Sequence, residues 1–151
     1  MTSSSSAKQY TGGCLCRANR YEITPSRRLE IDVCHCIDCQ KSSGSAFAAN
    51  IRVSSSEFRL TKGGTPDVLG AFHSRNTLSG NEVVRHFCTK CGSPIYGNAT
   101  GFDEVVVITS GTMDAPSEEW VPKAEHFCKD KRTWMADVKG EGIPRHHASA
   151  M

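Results

Sequence analysis

Gly12-Gly13-Cys14-Leu15-Cys16 near the start of the chain and Phe87-Cys88-Thr89-Lys90-Cys91-Gly92 far downstream decide how this sequence is read. A short Cys-x-x-Cys turn presents two thiolates to one ion, and a glycine after the second cysteine lets the backbone curl around it. Such a turn is half of a tetrahedral zinc site, so Cys88 and Cys91 call for two more thiolates, and Cys14 and Cys16 offer them. One structural Zn²⁺ on Cys14, Cys16, Cys88 and Cys91 would then tie two distant segments together. Between them lies a third group, Cys34-His35-Cys36-Ile37-Asp38-Cys39. Three thiolates within six residues are one short of tetrahedral closure, the stoichiometry of a zinc whose fourth position takes water or substrate. Two other readings stay open. Clustered cysteines also suit a disulfide framework, although that belongs to small secreted domains. Alternatively, His35 or Cys128 closes the second zinc site and makes it structural.

Outward from the cysteines the pattern is β. Helical periodicity is nearly absent, and short alternating or β-branched stretches predict strands over 20–23, 46–53, 58–60, 68–72, 83–87, 104–109 and 124–127. Gly12-Gly13, Thr24-Pro25-Ser26, Lys62-Gly63-Gly64, Ser79-Gly80-Asn81 and 98–101 read as turns. The one helical turn expected covers Asp38 to Ser43. With 151 residues the chain makes one domain. Its expected limits are 11–138, between a Ser-rich disordered arm over 1–10 and a flexible tail over 139–151.

Composition narrows the function. No apolar run approaches the ~20 residues that span a bilayer. A formal charge of +2 is scattered without a basic block, which argues against nucleic-acid and membrane-surface binding. Residues 1–9 lack the apolar core of a secretory signal, so the cysteines are expected in a reducing, cytoplasmic setting.

The ordered run of Gly12 to Cys16, then Cys34-His35-Cys36-Ile37-Asp38-Cys39-Gln40-Lys41-Ser42-Ser43-Gly44, then Phe87 to Pro94, resembles the glutathione-dependent formaldehyde-activating enzyme family. The likeness extends through Phe47, 58–60, 111–114 and 131–134, covering about residues 11 to 135. It implies a mostly β fold, an Mss4-like β-tent of short antiparallel strands around a structural zinc, related to centromere protein V and methionine sulfoxide reductase B. It further implies structural zinc on Cys14, Cys16, Cys88 and Cys91, and a catalytic zinc on Cys34, Cys36 and Cys39. Glutathione would be the co-substrate, its thiol adding to formaldehyde to give S-hydroxymethylglutathione. The expected activity is that of a zinc-dependent carbon-sulfur lyase or transferase on a small electrophile or its glutathione adduct, in detoxification or secondary-metabolite tailoring. The alternative is a non-catalytic zinc scaffold, as the relation to centromere protein V suggests. A methionine sulfoxide reductase would need a reactive thiol outside the zinc sites, and only Cys128 is left for it.

The remaining candidates have ordinary readings beside functional ones. Cys128 reads as a small buried hydrophobe. Strand alternation turns His35 away from Cys34 and Cys36, making it a hydrogen-bonding or surface group. His73 and His126 read as structural or exposed, and His146-His147 as tail. Lys41, Arg52, Arg75 and Arg85 are solvated surface charges that could also meet the carboxylates of glutathione. Phe47 is a core residue or a pocket wall, and Trp134 a core anchor.

Overall fold

The computed structural model describes residues 8–115, 120–138 and 142–148. It is a mostly β protein, with ten strands in two sheets among the described residues. The strands are β1 Tyr10–Gly13, β2 Arg20–Ile23, β3 Ile31–Cys34, β4 Ala48–Ser54, β5 Phe58–Lys62, β6 Leu69–Ser74, β7 Val83–Cys88, β8 Pro94–Ala99, β9 Val105–Thr109 and β10 Pro122–His126. Among the described residues one α-helix, α1 Ile37–Ser43, follows β3. The smaller sheet has the order β1-β2-β5, and the larger one β10-β3-β4-β9-β8-β7-β6.

All the expected strands are present, with ends shifted by up to two residues, and three more were not read from the sequence. β1 contains Gly12-Gly13, a pair that otherwise signals a turn. β8 carries Pro, Gly and Asn, all poor strand formers, and its proline sits at the first position, where no ladder hydrogen bond is lost. β3 is only four residues long and runs into the cysteine cluster. The expectation of antiparallel strands is corrected at one edge, where β10 pairs with β3 in parallel.

Strand alternation gives the large sheet two different faces. One cross-strand row, His86, Tyr96, Ile108, Ile51 and Ile31, looks toward the small sheet. Ile51 and Ile108 are fully buried there with Ile23 and Tyr21 of β2, and Phe58 packs between the Tyr21 and Tyr96 rings at 5.4 and 4.9 Å. Full burial of one such aliphatic side chain is worth about 1.5–3 kcal/mol. Ile51→Ala removes that and leaves a void between the sheets, so a loss of about 2–5 kcal/mol is expected in a urea titration.

Three terminal expectations change. The arm over 1–10 lies outside the described residues as far as Ala7, but Tyr10 opens β1 and packs on Trp120, ring centroids 5.2 Å apart. Of the tail, 139–141 and 149–151 lie outside the described residues. The part from Pro144 to Ala148 is no loose tail: it lies along β10, where Glu125 N–H donates to Pro144 O and His146 N–H to Glu125 O. Phe127 N–H and Cys128 N–H then donate to Ala148 O and His146 O. Trp134, expected as a core anchor, is 76% exposed, because the chain after β10 leaves the sheet before reaching it.

Candidate metal centres and site face

Cys14 and Cys16 stand in the turn after β1, Cys88 ends β7, and Cys91 lies in the turn before β8, so the first cysteine group joins the two sheets. Its four sulfur atoms all lie within 4.8 Å of one another, with Cys16 Sγ 3.6 Å from both Cys14 Sγ and Cys88 Sγ. All eight cysteines are free thiols, so the disulfide framework is not what the fold holds. Gly92 has φ +75°, and its N–H donates to Cys88 O at 2.8 Å, closing the Cys-x-x-Cys turn as the sequence suggested. Buried Asn19 braces the other half: its N–H donates to Cys14 Sγ, its amide nitrogen to Val68 O, and its amide oxygen accepts from Gly64 N–H.

Without a cation these thiols cannot all ionise together. Hydrogen bonds from the Ser93 hydroxyl and backbone bring Cys91 down to about 5. The Ala18 backbone draws Cys16 down, but desolvation and the thiols of Cys91, Cys14 and Cys88 push it up to about 11. A bound cation would favour the thiolate form of all four.

The second group brings Cys34, Cys36 and Cys39 together, again with all sulfur atoms within 4.8 Å. Cys34 ends β3, Cys36 caps α1, and Cys39 lies in its first turn, with Cys39 N–H donating to Cys36 Sγ at 3.3 Å. Hydrogen bonds from Cys34 and Cys39 drive the Cys36 thiol far down, while the bonds of Cys34 to Cys36 and Cys39 push Cys34 up, so one thiolate centred on Cys36 is held by two thiols. Among the described residues no fourth His, Cys, Asp or Glu ligand atom joins this group. Both residues that might have closed it are elsewhere. Cys128 forms no part of it, and His35 is fully buried with its Nε2 3.0 Å from Glu125 Oε1.

Glu125 is the group the sequence did not reveal. It is 0% exposed, and besides His35 it accepts from Lys131 Nζ at 3.0 Å, Arg145 Nε at 3.2 Å and Val138 N–H at 3.4 Å. Gln40 works beside it, donating from Nε2 to His35 O at 2.6 Å and to Asp130 O at 3.0 Å. Ser43 fixes the end of α1 by donating to Cys39 O and Phe47 O. The cysteine loop is thereby locked to the segment after β10. Phe47 packs against His35, ring centroids 6.2 Å apart.

The remaining candidates separate by location. His126 is buried, 3.6 Å from Asp32 Oδ2 and stacked on His146 at 5.2 Å. Burial would push the Asp32 carboxyl up, but His126 and Arg52 outweigh it and hold it low. Arg52 pairs with Asp32 at 3.4 Å, whereas Arg75 is exposed and pairs with Glu82, as does His73. Lys41 is exposed, and so is His147. Two surface hollows, of about 470 and 280 Å³, lie beside the four-cysteine group and contain no residue of the second group. Cys34, Cys36 and Cys39 are each partly exposed.

Residues 9–130 match the family model described as glutathione-dependent formaldehyde-activating enzyme. The chain belongs to that family. A crystal structure of a Rhodobacter sphaeroides protein is similar in fold, with a TM-score of 0.57 and 17% identity over 72% of this chain and 91% of the other. In this family member the matched region holds all seven clustered cysteines and ends at Asp130, so Lys131, Arg145 and His146 come from beyond it. Among the described residues no helix is long and apolar enough to cross a membrane.

Proposed function

We propose that this family member is a zinc-dependent carbon-sulfur lyase or transferase that handles a glutathione thiol and a small electrophile such as formaldehyde at Cys34, Cys36 and Cys39. The observation that carries this reading is the set of three convergent thiols with no fourth protein ligand atom beside it among the described residues. The donor chemistry fits zinc at both groups. Tetrahedral Zn–S bonds of about 2.3 Å place sulfurs ~3.8 Å apart, and the closest first-group separations are 3.6 Å. Cys14, Cys16, Cys88 and Cys91 would hold a closed structural ion. At the second group, zinc would supply Lewis acidity that keeps a bound thiol deprotonated near neutral pH.

The chain's own part is to hold: Gln40, Ser43 and the Glu125–His35 pair fix the loop that carries the three thiols. In the net reaction the thiol sulfur bonds to the formaldehyde carbon, and the thiol proton ends on the former carbonyl oxygen. The reverse breaks the same carbon-sulfur bond. No co-reactant is needed.

Metal analysis with a glutathione titration tests this. Protein purified without chelator should carry between one and two zinc ions, and after cobalt replacement glutathione should shift the thiolate-to-cobalt absorption. Cys36→Ser should remain folded, keep about one zinc and lose that shift, because its site closes almost no loop and adds little to global stability. An unchanged spectrum at saturating glutathione in the wild type would instead support a non-catalytic scaffold.

A further inference from the structure

The face of the large sheet opposite the core is the face that carries the second cysteine group. Ile31 and Val33 point into the core, so Asp32 and Cys34 point away from it, and the Asp32–Arg52 pair puts Arg52 on the same side. From Arg52 one cross-strand row runs through Val107 on β9, Gly97 on β8 and Arg85 on β7 to Phe72 on the edge strand β6. At Gly97 a Cβ would meet Val84 O at 3.0 Å, so the position is kept bare, and bare backbone separates Arg85 from Val107.

Arg85 is unusual among the arginines of this sheet. Arg52 is matched by Asp32 and Arg75 by Glu82, while Arg85 is half-buried and, among the described residues, has no hydrogen-bonding or carboxylate partner. The fork of donors that a guanidinium offers fits a carboxylate two-pronged. Arg85 also stands on the sheet face that carries Cys34.

The geometry points to Arg85 as the residue that binds a carboxylate of the thiol substrate, laid across Gly97 with its sulfur toward Cys34, Cys36 and Cys39. This rests on the proposed binding of a thiol at that group, and it assigns the selectivity for an acidic peptide thiol over a neutral one. Lys41 and Arg75, equal to Arg85 on the sequence, are exposed to solvent and lie outside this row.

The test is calorimetric titration of the zinc-loaded protein with glutathione and with glutathione diethyl ester, which keeps the thiol and peptide but has neither carboxylate. Arg85→Leu should weaken glutathione binding at least tenfold, leave diethyl ester binding within twofold and leave zinc content unchanged. Arg85→Lys should recover part of the loss, and Arg75→Leu should change nothing. Equal weakening of both ligands by Arg85→Leu would mean that Arg85 acts on the cysteine thiolates rather than on substrate, and would overturn the assignment. So would undiminished glutathione binding. If neither ligand binds the wild type, the thiol reading of the site fails first and takes this assignment with it. Should Arg85→Leu lose zinc or fold poorly, the wild-type preference for glutathione over its diethyl ester decides instead: a ratio near one overturns the assignment, and a ratio above ten supports it.

Discussion

Cys88→Ser is expected to leave the protein unfolded or insoluble. Cys88 is fully buried, ends β7, and is grouped with Cys14 and Cys16 from the turn after β1, so a metal ion there would clamp the small sheet to the large one. Structural zinc contributes about 10–16 kcal/mol in small zinc-finger peptides, against a whole-domain stability of about 5–15 kcal/mol. Losing one of four thiolates need remove only part of that to be decisive. A deficit of ~5 kcal/mol would lower the Tm of a domain this size by ~10–20 °C. Cys14→Ser should behave alike, and a strong chelator should reproduce both. The measurement is a circular-dichroism melt beside metal analysis, with Cys36→Ser as the comparison. Equal destabilisation of all three variants would abolish the division between a structural and a functional centre.

Glu125→Ala should cost about 3–5 kcal/mol, the range for breaking a buried ion pair from one side. The substitution leaves His35 without its partner at 0% exposure and strands Lys131, whose side chain is 10% exposed. It also takes from Arg145 the buried end of the contact that holds the 144–148 segment along β10. Glu125→Gln keeps the volume and one acceptor oxygen and should cost less. The two variants also differ from wild type in pH dependence. Burial alone would raise the Glu125 carboxyl, but His35, Lys131 and the Val138 N–H outweigh it, and the folded-state pKa lies below the ordinary value. A lowered carboxyl pKa stabilises the fold fully above the unfolded value of ~4.3 and loses that contribution as pH falls through the folded one. Wild type should therefore lose its advantage over Glu125→Gln on acidification below about pH 4. Urea midpoints at pH 7 and in steps down to pH 3 would show this, and a constant difference across that range would remove Glu125 from the account.

Local chemistry was legible in the order of residues. Cysteine spacing announced two thiol groups that the fold does bring together and that could hold metal ions, because a Cys-x-x-Cys turn is a local feature and needs no distant partner to be recognised. Alternation likewise marked the strands that bury one face, such as β9 and β4, and the glycine after Cys91 marked a closed turn that φ at Gly92 bears out. What the sequence could not carry was pairing. β10 lies parallel beside β3, although some ninety residues separate Glu125 from His35, and that neighbourhood alone makes Glu125 a buried hub rather than a surface carboxylate. The same holds at the other end of the sheet: Arg85 and Arg75 have the same side chain, and only strand register sets Arg85 in the row with Gly97, Val107 and Arg52. Trp134 and the 144–148 segment exchanged their expected places, the tryptophan in solvent and the polar tail bonded to an edge strand. An unpaired strand edge selects its partner by backbone geometry, which side-chain composition does not encode.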